Sequence, residues 1–190
     1  MNKVIKQDLY RYEGYHCEKL SCQLRYMLGT PSFQCVYLFR KASNSRMLFF
    51  RYFWMGLLHL CKLMTNIQIP VGTKIGTGFR ILHFGHIVIN PHAVIGRNFN
   101  IAQGALIGNS EGKKRGVPVI GDNVYCGANS LVIGGIHIGD NVLIAPGAFV
   151  NFDVPDNSIV IGNPGKIISR DFSPTAKYIV FPVEGYDKML

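Results

Sequence analysis

From Ile69 to Val150 apolar residues return every six positions: Ile69, Ile75, Ile81, then Ile89, Ile95, Ile101, Ile107, then Ile120, Cys126, Val132, Ile138, Ile144, Val150. Four positions after most of these lies a second column of mainly small or β-branched residues (Thr73, Gly85, Ala93, Ala105, Val124, Ser130, Val142, Ala148, Val154), with Phe79, Phe99 and Ile136 its larger members. An α-helix repeats every 3.6 residues and a strand every two, so neither alone gives a period of six. Short strands joined by tight turns do. The turns carry the expected residues, in IGRN at 95–98 and IGDN at 120–123 and 138–141.

Three such sides close a triangular coil of about 18 residues, and stacked coils bury the isoleucine column as one continuous core. The pattern predicts a mainly β fold, a left-handed parallel β-helix of hexapeptide repeats over residues 67–170. Residues 1–66 lack the repeat and read as a short α-helical N-terminal extension; 171–190 form a C-terminal tail. Within the extension, FFRYFWMGLLHLCKLM (49–64) is too short and too charged to span a bilayer. Arg51, His59 and Lys62 fall along one stripe of a helix there. The expectation is a helix buried on most sides, against the rest of the chain or another subunit, with a membrane surface as the alternative.

The register slips twice. Eight residues separate Ile81 from Ile89, and the polar run GNSEGKKRGVP makes thirteen, in place of twelve, between Ile107 and Ile120. Extra residues on a solenoid must protrude, and loops held by a rigid scaffold commonly bind or catalyse. His83 lies at the first slip, two places after Ile81. Three hexads on stands Gln103, expected to stack beside it, with Asp122 next in the same register.

Hydrophobic residues make up 48% of the chain and charged residues 16%, which fits a folded protein. The net charge of +9 is uneven: ten Lys and Arg face three acids in residues 1–66, and ten face eight in the remainder. Without an RNA-binding or helix-turn-helix motif this does not indicate nucleic acid. The five cysteines have no metal-type spacing and are expected as reduced thiols. The N-terminal residues lack the apolar core of a secretory signal. The expected location is the cytoplasm, with peripheral contact at the inner face of the membrane through the N-terminal region as an option.

The repeat resembles that of hexapeptide-repeat acyltransferases, and IQIPVGTKIGTGFRILHFGHIVIN, IAQGALIG and IGNPGKII are similar to stretches of serine acetyltransferases and of enzymes that O-acetylate bacterial polysaccharides. The resemblance implies acetyl-CoA as co-substrate, no metal, and a homotrimer or larger homo-oligomer with sites shared between protomers. It makes His83 the general base, with Gln103 beside it. Imidazole suits that role because it ionises near neutral pH. Implied CoA contacts are Gly108, Asn109, Lys113, Lys114 and Arg115 around the second slip, the turns Gly127, Ala128, Asn129 and Ala145, Pro146, and Lys166 and Arg170 beyond GNPGK. By default the Lys113–Arg115 run is a solvated stretch that keeps its loop extended.

This sequence also departs from the serine enzymes. Leu82 and Gln68 stand where they carry aspartates that orient the histidine, Val117 where a second histidine helps hold serine, and Leu143 where some have a lysine. The expected acceptor is therefore a hydroxyl of a sugar or surface glycan precursor, with serine as the alternative. His86 and His92 read as solvated turn residues and His137 as an outer-wall residue. A zinc carbonic anhydrase needs imidazoles converging from separate coils. A trimeric scaffold or glycan-binding protein is the non-enzymatic alternative.

Overall fold

The computed structural model describes residues 1–188. Helices α1 (Lys3–Glu13), α2 (Leu20–Gly29), α3 (Pro31–Asn44) and α4 (Leu48–Thr65) precede the repeat. Their ends follow local chemistry. The Asn2 side chain accepts the Ile5 N–H and caps α1. Pro31 occupies the first turn of α3, and Asn66 ends α4 in the left-handed region.

Four triangular coils follow. The first holds β1 (Lys74–Ile75), β2 (Arg80–Ile81) and β3 (Val88–Ile89); the second β4 (Val94–Ile95), β5 (Asn100–Ile101) and β6 (Leu106–Gly108). The third holds β7 (Val119–Ile120), β8 (Tyr125–Cys126) and β9 (Leu131–Ile133); the fourth β10 (His137–Ile138), β11 (Leu143–Ile144) and β12 (Phe149–Val150). Strands β13 (Ser158–Ile161) and β14 (Lys166–Ser169) close the far end as an antiparallel hairpin. Within the coils each strand pairs in parallel with its equivalent in the next, making three faces: β1-β4-β7-β10, then β2-β5-β8-β11-β13, then β3-β6-β9-β12. This is the left-handed β-helix that the six-residue period predicts. Register stacks like on like, as in Ile81, Ile101, Cys126, Ile144 and Val160 down the second face, all buried.

The slips differ in detail from the sequence reading. In the first loop Ile87, fully buried, fills the corner position, and Gly85, at φ 125°, takes the place equivalent to Gln103, so His83 and Phe84 are the two extra residues. The second is larger than the sequence suggests: Ile107 and Ile120 lie on successive strands, β6 and β7, so thirteen residues replace six. The downstream register therefore moves, and Ala128 rather than Asp122 follows Gln103.

Asp122 instead has a structural task at the corner between the first and second faces. Its Oδ1 accepts the Arg97 N–H, Asp140 Oδ1 accepts from Asp122, and Asp156 Oδ1 accepts from Asp140, at 2.7–2.8 Å. Beside this ladder Asn98, Asn123, Asn141 and Asn157 sit at φ 54–58°, where asparagine is favoured among non-glycine residues, and donate side chain to side chain down the stack. The glycine of IGDN is fixed by crowding, since a Cβ on Gly139 would lie 2.6 Å from the Asp156 nitrogen.

The open first coil is closed by helices. Val36 and Phe39 of α3 join the β-helix core. Asp8 of α1 accepts the Gly78 and Phe79 N–H groups and pairs bidentately with Arg40 of α3, whose other donors reach the Ile75 and Gly76 carbonyls. Burial pushes the Asp8 carboxyl up, opposed by Arg40 and the two amides. The tail returns along the second face and ends in α5 (Val183–Asp187) against α1, with the Tyr178 ring tilted against that of Tyr125.

Two expectations are corrected here. Cys35 and Cys61, expected as reduced thiols, form a disulfide between α3 and α4; Cys17, Cys22 and Cys126 are free and buried. Helix α4 is not buried on most sides: it rests on α3 through a narrow edge and exposes Phe49, Tyr52, Phe53, Leu60, Leu63 and Met64.

Candidate active site

The corner between the second and third faces gathers most of the candidate residues. Strand register places Gln103 two residues beyond β5, Ala128 two beyond β8 and Pro146 two beyond β11; in the first coil Gly85 takes the equivalent place, with His83 just before it in the loop. Backbone bonds tie the rungs: Gly104 N–H donates to Gly85 O, Asn129 N–H to Gln103 O and Gly147 N–H to Ala128 O, at 2.8–3.0 Å. At roughly 4.8 Å per coil the ladder runs about 14 Å from Gly85 to Pro146. The His83 and Gln103 side chains are both exposed on it.

His83 hangs from an edge strand that needs its own partner. β2 is the first strand of the second face, so the Ile81 N–H and C=O point away from β5. The Tyr12 hydroxyl of α1 meets both, accepting from one and donating to the other at 3.0 Å. Burial pushes the Tyr12 phenol up, so the hydroxyl stays protonated and able to donate. Arg11 secures the same region, donating to Gly78 O, Asn100 Oδ1 and Val180 O, and burial lowers its guanidinium to about 10. Sequence reasoning missed Tyr12 and Arg11, because no local pattern links a helix to a strand 69 residues away.

Gly108, Asn109 and the Lys113–Arg115 run lie elsewhere, at the corner between the third and first faces. Gln103 and Asn109 stand at opposite ends of the third face, on either side of β6. The run does not extend into solvent as a free loop. Ser110 and Gly116 exchange backbone hydrogen bonds, and the Lys114 carbonyl accepts from Gly135. Lys114 pairs with Asp153 at 2.6 Å and Arg115 with Glu111 at 3.1 Å. An open depression of about 310 Å³ runs over the third face from Val88 through Leu106 to Gly108 and Asn109. Lys166 opens β14 and Arg170 immediately follows it, roughly 13 Å apart along the strand.

A larger apolar cleft of about 470 Å³ opens beside the His83 loop, where Phe84 faces Leu60 and Met64 of α4 and Tyr37 and Leu38 of α3. The Cys126 thiol, under the same corner, is pushed up to about 12 by burial, so it supplies no thiolate nucleophile. His86 shares the loop of His83, whereas His92 lies at the next corner. Among the described residues no group of three His, Cys, Asp or Glu side chains could hold a metal ion. The arrangement therefore offers an exposed imidazole on a rigid ladder above a line of turn backbones. That equipment suits proton transfer to or from a ligand lying along the corner.

Comparison with known proteins points the same way. The family model described as bacterial transferase hexapeptide (six repeats) matches residues 118–151. The chain is 33% identical over 147 residues to the serine acetyltransferase of Helicobacter pylori, covering 76% of this chain and 85% of that protein. It is 40% identical over 116 residues to the serine acetyltransferase of Synechococcus elongatus, covering 60% of this chain and 47% of that protein. A solved serine acetyltransferase in complex with CoA superposes with a TM-score of 0.71 over 87% of this chain and 68% of that one, at 21% identity, a likeness of fold. The chain spans about half the length of the Synechococcus relative.

Proposed function

The chain belongs to the serine acetyltransferase family, and from that premise we propose that it is an O-acetyltransferase moving an acetyl group from acetyl-CoA to a hydroxyl acceptor. His83 acts as general base. It takes the acceptor's hydroxyl proton as that oxygen attacks the thioester carbonyl; collapse expels the CoA sulfur, which receives the proton back from the imidazolium. The products are the O-acetyl ester and free CoA thiol. Gln103, one rung below Gly85 of the same loop, holds a polar side chain beside the reacting groups. The turns at Gly127–Asn129 and Ala145–Pro146 line the path of the pantetheine arm.

In this reading Gly108, Asn109 and Lys113–Arg115 meet CoA bound against a neighbouring protomer, because within one chain they stand across the third face from His83. A homotrimer, with its clefts between prisms, brings the two corners together. Lys166 and Arg170 serve the CoA phosphates. The observation that carries the proposal is an exposed His83 in the loop that opens a corner ladder whose lower rungs are the proposed CoA turns.

L-Serine is the first acceptor, because relatives at 33% and 40% identity are serine acetyltransferases. The sugar or glycan hydroxyl favoured by the sequence becomes the second reading. It is supported by Leu82, Gln68 and Val117, none of which is ionisable, at the positions singled out above. The test follows thiol release from acetyl-CoA with L-serine and with a panel of bacterial sugars. Release with one acceptor, lowered about 100-fold or more in kcat by His83→Ala, is the expected result. No release with any acceptor, or full activity of the variant, overturns the proposal.

A further inference from the structure

Helix α4 presents to solvent the residues a globular protein normally hides. At 100° per residue Tyr52, Leu63, Phe49, Leu60, Phe53 and Met64 form one continuous arc. Phe49 is 75% exposed and Met64 83%. Arg51 and Lys62 lie together on one stripe, about 80–100° round the helix beyond the Tyr52 edge of the arc, with Arg46 just before the helix. No Asp or Glu occurs between Glu18 and Glu111, so α2, α3, α4 and the His83 loop contain no acidic side chain. Among the described residues Arg46, Arg51 and Lys62 form no ion pair.

We infer that this face docks on an anionic lipid bilayer, lying in the interface rather than crossing it. Two features select that occupant. The first is charge: a second copy meeting this face about a twofold axis would bring together two regions, α2 to α4 of each copy, that contain basic residues and no acid. Anionic headgroups supply the missing charge, while the aromatic and aliphatic arc enters the acyl boundary and the basic side chains reach back to the headgroups. The second is length: among the described residues no helix is long and apolar enough to cross a membrane. The docked face is continuous with the apolar cleft that Leu60 and Met64 share with Phe84, next to His83. Docking thus brings the candidate active site to the level of the lipid headgroups. The inference does not depend on which acceptor is acetylated.

The test is co-sedimentation of the full chain with vesicles of phosphatidylcholine alone and of equimolar phosphatidylcholine and phosphatidylglycerol. Binding to the mixed vesicles, weaker on phosphatidylcholine and falling as salt rises, is expected. At about fivefold per basic residue, Arg51→Gln with Lys62→Gln weakens it roughly 25-fold. Phe49→Ser with Phe53→Ser weakens it at least about tenfold through lost burial. If a variant fails to fold, the lipid and salt dependence of the unaltered chain still decides. Absence of binding to the mixed vesicles, binding indifferent to lipid charge, or dissociation of an oligomer by the phenylalanine substitutions each overturns it; the last would identify a second copy as the occupant.

Discussion

Tyr12→Phe isolates the contact by which a helix finishes an open strand. The ring stays, with its edge contact to Phe33 and tilted contact to Tyr26, so packing is nearly unchanged. Only the hydroxyl is lost, and with it the bonds to the Ile81 N–H and C=O. Both groups face away from β5 beneath α1, where a buried unpaired backbone group costs about 1–3 kcal/mol. With some relief from entering water, the pair amounts to roughly 2–4 kcal/mol. For a chain of this size each kcal/mol moves the thermal midpoint by about 2–4 °C, so the variant should melt roughly 5–15 °C lower at matched protein concentration. Circular dichroism melts read this directly. Since Ile81 lies two residues before His83, acetyl transfer should also lose kcat more than acetyl-CoA KM rises. A midpoint within a degree of the unaltered protein would show that Ile81 finds another partner, and would refute the claim that α1 completes this edge.

Other consequences follow from the same structure. Gly139→Ala should destabilise by more than about 2 kcal/mol in urea titration because its Cβ meets backbone, whereas Gly147→Ala, facing open space at φ 70°, should cost only about 1–2 kcal/mol of strain. Asn141→Ala should lose stability through both its left-handed backbone and its two ladder bonds, and Asn141→Gly should recover part of that loss in the same titration. Asp8→Ala strands the buried Arg40 guanidinium and should cost about 3–5 kcal/mol, enough to reduce soluble yield. Lys114→Ala, which breaks only an exposed pair with Asp153, should leave the melting midpoint unchanged, so a raised KM for acetyl-CoA in steady-state kinetics would report a ligand contact.

The six-residue column by itself determined the β-helix, its turns and the two slips, because every coil repeats the same local problem of one inward isoleucine and one tight corner. It also marked His83, since a loop on a solenoid shows as a break in period. The sequence could not fix the size of the second slip. Twelve residues would have restored the phase, so thirteen looked like one extra residue, and only strand pairing showed a single enlarged corner that puts Ala128, not Asp122, below Gln103. Tertiary structure alone decided what lies across the chain: Tyr12 against Ile81, Asp8 with Arg40, and Cys35 bonded to Cys61. It also left the apolar arc of α4 uncovered, where helical periodicity had suggested burial. Local repetition is written in neighbouring residues, whereas contacts over dozens of residues depend on how the first coil is closed, and no short-range pattern encodes that.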